Sequence, residues 1–228
     1  MLIAAAPYEF SAFTGRVRLR SGDVRWLATT RIGGSEAILA ANGIGRLAAA
    51  TGARRLLSRY RASALISTGF AGGLDPTLEV GQIIFATTVM YKERRYAARL
   101  PAEGCSSHRT GSLLTVNEIV RSSRSKRALA RGGAHAVDME AAAVAAVANE
   151  TGVPFYCVRA ISDSAKQSLP LDFSSAIASD DAISVRRVLR QAATRPGAWP
   201  GLCRLWHGSR VSARALARTI CQCDFRTR

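Results

Sequence analysis

The stretch Met139-Glu-Ala-Ala-Ala-Val-Ala-Ala-Val-Ala-Asn-Glu-Thr-Gly-Val-Pro-Phe-Tyr-Cys-Val-Arg-Ala-Ile-Ser-Asp163 decides the fold class. Its first part, 139–151, is rich in alanine and reads as a helix. Gly152 and Pro154 stop that helix, because glycine accepts a left-handed cap and proline cannot continue the hydrogen-bond ladder. Residues 155–161 are aromatic and β-branched and read as a buried strand that runs into Ser162-Asp163. A helix delivered so directly into an apolar strand is the signature of an α/β layer.

The same alternation extends outward. Residues 2–6 read as a short buried strand, followed by Pro7 and a turn or short helix that carries Glu9. Strand character covers 25–30 and 37–41, with Gly33-Gly34 as the turn between them. Asn42-Gly-Ile-Gly45 opens a helix to about residue 60, with Leu47, Leu56 and Leu57 forming its apolar face. Residues 64–68 form another strand that exits into Gly69-Phe-Ala-Gly-Gly73, and 82–89 a further one. Residues 90–110 show no clean period and read as an excursion or lid. Strand character resumes over 112–116, and 118–131 reads as helical. The expectation is one α/β domain over 1–228, with its core in about 1–170 and a basic helical extension, broken at Pro196 and Pro200, over 172–228.

The 228 residues are 48% apolar, enough to bury a sizeable core. No run approaches the roughly 18 apolar residues of a membrane span, and 1–6 lack a basic leader, so a cytoplasmic protein is expected. The net charge is +16, and only Lys92, Lys126 and Lys166 among the 32 basic residues are lysine. The arginines are dispersed and lack interleaved aromatics for stacking bases, which reads as solvated helix faces and gives no expectation of nucleic-acid binding. Arg186, Arg187, Arg190, Arg195, Arg204, Arg210, Arg214 and Arg218 concentrate charge in the tail, where peripheral membrane contact is one outcome. The cysteines form no evident paired framework, and neither they nor His108, His135 and His207 show ligand spacing, so no metal and no cofactor are assigned.

Four segments could carry chemistry. Gly43-Ile-Gly45-Arg-Leu-Ala48 resembles a dinucleotide fingerprint, but the next strand, near 63–69, ends without the acid that would hold a ribose. Gly-x-Ser-x-Gly and the Walker loop are absent. Ser67-Thr-Gly-Phe-Ala-Gly-Gly-Leu74 brings backbone within reach of a ligand. Val137-Asp-Met-Glu140 puts two carboxylates at a strand-to-helix junction, where α/β folds gather ligands. Val158-Arg-Ala-Ile-Ser-Asp163 places Arg159 in an apolar strand, where it must find a partner or face a cavity.

In this order and spacing the segments resemble the 5′-methylthioadenosine/S-adenosylhomocysteine nucleosidases of the purine nucleoside phosphorylase superfamily. The matching stretches are 2–10, 42–50, 66–81, 136–146 and 153–163. The resemblance implies a three-layer αβα sandwich on a mixed sheet, a homodimer, and hydrolysis of the N-glycosidic bond of an adenine nucleoside. It also implies site roles. Glu9 would activate the attacking water, and Asp163 would protonate purine N7. Glu140 would bind the ribose hydroxyls, Met139 would pack on the sugar, and Arg159 would help place water or ribose. Gly69, Phe70 and Ala71 would shape the pocket, and Ile119 and Val120 would meet adenine through backbone groups.

The logic is that of glycoside cleavage, in which a leaving group is protonated, a cationic sugar stabilised and a nucleophile activated. Departures from the pattern are Phe70, where serine is common, and Ser164-Ala-Lys166 after the aspartate. Ser67 and Phe70 stand where bacterial phosphorylases hold phosphate. Water is therefore the expected nucleophile, with phosphorolysis as the alternative, including a hopanoid-associated phosphorylase acting on an adenosylated lipid. A non-catalytic nucleoside- or nucleic-acid-binding protein is a third reading, opposed by the joint presence of Glu9, Glu140 and Asp163.

Overall fold

The computed structural model describes residues 1–13, 18–20, 24–102, 108–177 and 183–225. The strands are β1 (Leu2–Ala4), β2 (Arg18–Arg20), β3 (Trp26–Ile32), β4 (Ser35–Ala41), β5 (Leu65–Gly73), β6 (Ile83–Tyr91), β7 (Arg94–Ala97), β8 (Arg109–Thr115), β9 (Ala136–Asp138) and β10 (Phe155–Asp163). The helices are α1 (Arg46–Arg59), α2 (Ser123–Ala130), α3 (Ala141–Thr151), α4 (Val185–Ala193) and α5 (Trp199–Gln222). A 3-10 turn, Pro7–Phe10, follows β1. The sheet order is β10-β6-β8-β9-β5-β1-β4-β3-β2, with β7 on β6. It is mixed: β1 lies parallel to both β4 and β5, whereas β3 lies antiparallel to β4.

The sheet also closes on itself. β10 pairs with both β5 and β6, β6 with β8, β8 with β9, and β9 returns to Gly72 and Gly73 of β5. β5 serves both ends of the ring because it does not stop at Gly69 as the glycines suggest; it continues to Gly73. Gly69 takes φ +131°, and a β-carbon there would collide with the Glu9 carboxylate. Only glycine lets the strand pass so close to that acid.

Helices cover both faces, which gives the three layers. On one face α3 presents Ala141 to Ala145 together with Val147 and Ala148, all buried in one cluster with Ala49, Ala53 and Leu56 of α1. Small side chains let the two helices and the sheet approach closely. Gly152 ends α3 in the left-handed conformation at φ 67°. On the other face Leu216, Ala217 and Ile220 of α5 pack with Phe85, Tyr156 and Val158. Residues expected to form an extension are thus part of the core: Leu216 and Ile220 are fully buried. Pro200 does not break the tail either, since it occupies the first turn of α5, where a missing N–H costs nothing. Leu216→Ala should lower stability by about 2–5 kcal/mol. A urea midpoint equal to wild type would show that α5 is dispensable.

Other expectations change for identifiable reasons. Leu47 is 83% exposed, and the buried face of α1 is carried by Ala48, Ala49, Gly52, Ala53 and Leu56. The stretch 90–110 is largely the end of β6, the β6–β7 hairpin and the start of β8, with 103–107 outside the described residues. The helix expected over 118–131 starts later, because the Ser122 hydroxyl accepts the Ser125 N–H and caps α2 there. Cys223 is disulfide-bonded, although no pairing was expected, while Cys157, Cys203 and Cys221 are free. Among the described residues no helix is long and apolar enough to cross a membrane.

Candidate active site

Three carboxylates from distant parts of the chain open onto one cavity of about 830 Å³. Glu9 comes from the turn after β1, Glu140 from the β9–α3 junction, and Asp163 from the end of β10. Each sits where a strand of the sheet gives way to a turn, the place where α/β sheets gather ligands.

Glu9 is buried at 4% exposure and held by backbone. Its Oε2 accepts the N–H groups of Ala5 and Ala6 at 2.8 and 2.9 Å, and its Oε1 accepts that of Phe70 at 2.8 Å. Burial pushes its pKa up, and the three N–H donors and the Arg159 charge pull against that rise. The result is a fixed carboxyl oriented as a base must be.

Glu140 is partly open to the cavity. Its Oε1 accepts the Gly45 N–H at 2.6 Å, and its Oε2 accepts the Met139 N–H at 3.3 Å. Burial is the main cause that raises its pKa to about 8, with Asp138 adding repulsion. The Gly43-Ile-Gly45 segment, dismissed as a cofactor loop, therefore has a different job: Gly45, at φ 96°, aims its N–H at this acid.

Asp138 and Arg159 form the support behind the site. Arg159 Nη2 and Nε donate to Asp138 Oδ2 at 2.6 and 3.2 Å, and Nη2 also donates to Ser67 Oγ at 2.8 Å. Asp138 further accepts the Ala141 N–H at 2.8 Å and the Thr115 hydroxyl at 2.7 Å. A buried pair with every lobe satisfied holds β9, β10 and α3 in register, and losing either member leaves an uncompensated charge. Arg159 is 1% exposed and Gly69 lies behind Glu9; neither lines the cavity. Glu9, Phe70, Ala71, Ile119, Val120, Met139, Glu140 and Asp163 do line it. Ile119 and Val120 reach it because the chain is still a loop before Ser122.

Two groups of residues went unrecognised in the sequence. Lys126 is fully buried, and its ammonium donates to Asp163 Oδ2 and to the Ser164 carbonyl at 2.7 Å. The Ser162 hydroxyl donates to Asp163 Oδ1 at 2.6 Å. A single lysine in a helix of an arginine-dominated chain was the available signal. The second group is the apolar wall from the tail: Phe173, Val185, Val188, Leu189, Trp199, Leu202 and Trp206 all line the cavity. Opposite them Tyr8 and Phe70 meet with ring centroids 5.8 Å apart.

The comparisons with known proteins agree with this architecture. The profile of the Phosphorylase superfamily matches residues 2–108 and 102–197. Among solved structures, the chain is similar to the 5′-methylthioadenosine/S-adenosylhomocysteine nucleosidase of Neisseria meningitidis in complex with methylthio-immucillin-A. Identity is 19%, coverage 97% of this chain and 96% of that one, and the TM-score 0.71. The corresponding nucleosidase of S. pneumoniae with a transition-state inhibitor gives 19%, 97%, 97% and 0.70. Futalosine hydrolase of Helicobacter pylori gives 16%, 96%, 93% and 0.70. With mixed sheet, three layers and profile in accord over most of its length, the chain belongs to the phosphorylase superfamily.

Proposed function

We propose that the protein hydrolyses the N-glycosidic bond of an adenine nucleoside of the methylthioadenosine/adenosylhomocysteine type. The observation that carries this reading is the convergence of Glu9, Glu140 and Asp163 on one cavity. Cleavage at C1′ needs a base for water, an anion beside the cationic sugar and an acid for the leaving purine. Glu9, held by three N–H groups, takes the proton of the attacking water. Glu140 binds the ribose hydroxyls, and Met139 packs on the sugar. Asp163 serves the purine edge, while Ile119 and Val120 flank the base. The Phe70 N–H, which a phosphate oxygen could otherwise accept, is taken by Glu9, and this favours water as nucleophile. The homodimer implied by the resemblance and the cytoplasmic location expected from the sequence belong to this reading.

The test is adenine release from methylthioadenosine and adenosylhomocysteine with and without phosphate, with the sugar product identified. Free methylthioribose in the absence of phosphate is expected. Strict phosphate dependence with a sugar 1-phosphate product would replace hydrolysis by phosphorolysis.

One observation favours a second reading of the substrate, the adenosylated lipid of a hopanoid-associated enzyme. The cavity continues from the carboxylates along the apolar wall of α4 and α5, far beyond what a methylthio group fills. A bulky apolar 5′ group would use that space, and the exposed arginines beside it would face an anionic surface. An adenosine bearing a long 5′-alkyl chain should then show a KM well below that of methylthioadenosine.

A further inference from the structure

We propose that the face of α4 and α5 around the cavity mouth docks on an anionic lipid bilayer, with its tryptophans inserted among the headgroups. This surface stands apart from the reaction assigned to the cavity. Among the described residues seven large apolar side chains are exposed, and five of them line that one cavity. Tyr8 is one; Val185, Leu189, Trp199 and Trp206 come from the tail, with Val185 68% and Trp206 63% exposed. Scattered exposed apolar groups are ordinary, whereas a cluster around one opening marks a surface that a partner covers. Helical spacing explains the cluster. Val185 and Leu189 are four residues apart on α4, and Trp199 and Trp206 seven apart on α5, so each pair shares a face.

Charge selects the partner. From 183 to 223 the chain has eight arginines and no acid. All eight are exposed, and none pairs with a carboxylate among the described residues. Arg186 and Arg190 flank the Val185–Leu189 stripe one position on, and Arg210 stacks over the Trp206 ring at 4.7 Å. Aromatic rings on an apolar patch, with guanidinium groups beside them, suit the boundary between acyl chains and headgroups. Each arginine near an anionic leaflet adds attraction. A second copy of this chain would bring two sets of unpaired cations face to face, which opposes self-association there. Ala192 of α4 and Leu216 of α5 stay buried in the protein, so the helices lie on the bilayer and do not enter it. Docking turns the cavity mouth toward the lipid, because the same side chains form both the lip and the docking face.

The experiment is co-sedimentation of the full chain with phosphatidylcholine vesicles, with and without about a third phosphatidylglycerol. No nucleoside is added, so the result is independent of what the cavity cleaves. Binding should be at least about tenfold tighter to the anionic vesicles and should weaken as salt is raised. Brominated acyl chains should quench the tryptophan fluorescence of the bound protein. W199F/W206F, which keeps only Trp26 stacked on Phe10, should lose that quenching. W206E puts a carboxylate into the face and should weaken binding about tenfold or more, as should R186Q/R190Q, with little change in Tm at these exposed positions. A wild-type protein left in the supernatant with anionic vesicles overturns the proposal. So does binding without quenching, which is adsorption by charge alone. A wild-type dimer that W206E converts to monomer also overturns it and gives the face to a second copy. Should the variants fail to fold, sedimentation and quenching of the wild type still decide.

Discussion

Asp163→Asn is expected to lower kcat for adenine release by about 10³-fold, with little change in KM. The amide keeps the shape and one acceptor but cannot carry a proton to N7. The change has a second consequence, because Asp163 is the counter-ion of fully buried Lys126. Removing one member of a buried pair leaves the other uncompensated, and about 3–5 kcal/mol of stability should go with it. A D163N/K126M double variant removes both charges. It should regain much of the stability and none of the activity. Turnover in D163N within tenfold of wild type would show that the purine leaves without help from this carboxyl. A double variant no more stable than D163N would show that the ion pair is not where the lost stability resides.

Glu140→Gln should weaken catalysis by about 10²-fold or more and at the same time alter the pH dependence of stability. The Glu140 pKa is raised from 4.5 to about 8, first by burial and then by Asp138. Between those two values the folded protein holds a proton that the unfolded chain has released. Stability is therefore fully present below about pH 4.5, falls as pH rises through the window, and falls no further above about pH 8. The loss is on the order of 3 kcal/mol, reduced by the partial opening of the carboxyl to the cavity. E140Q has nothing to ionise, so its stability should be flatter over that window and exceed wild type near pH 8. Glu9, also raised by burial, adds a slope of the same sign in both proteins. Equal slopes for wild type and E140Q in urea titrations at pH 5 and 8 would mean that Glu140 is ionised in the free protein. In wild type the stabilisation by a bound nucleoside should grow toward high pH, because ribose hydroxyls are best held by the carboxylate.

Local signals in the sequence were enough for much of the fold. The alanine-rich α3, its glycine cap and the apolar β10 stand almost where the stretch 139–163 placed them, since propensity, capping and burial all agree there. The hairpin at Gly33-Gly34 and the turn carrying Glu9 follow from equally local rules. Three acids named from the motif order do meet at one cavity. Signals failed where a residue's role depends on something distant in the chain. Gly69 reads as a strand exit, and only the approach of Glu9 shows why the strand continues. Leu47 reads as core because helical spacing says which residues share a face but not which face is covered.

Determined by the sequence alone, then, are the alternation of helix and strand, the carboxylates and the stop signals, all of which act within a few residues. The tertiary structure decided the rest. It closed the sheet through β5, turned Arg159 away from the cavity onto Asp138, and carried the tail back as a wall of the core. It also set Lys126 against Asp163, 37 residues apart in the chain. These features depend on pairings between distant segments, and such pairings form only when burial of many side chains together offsets the entropy of closing long loops.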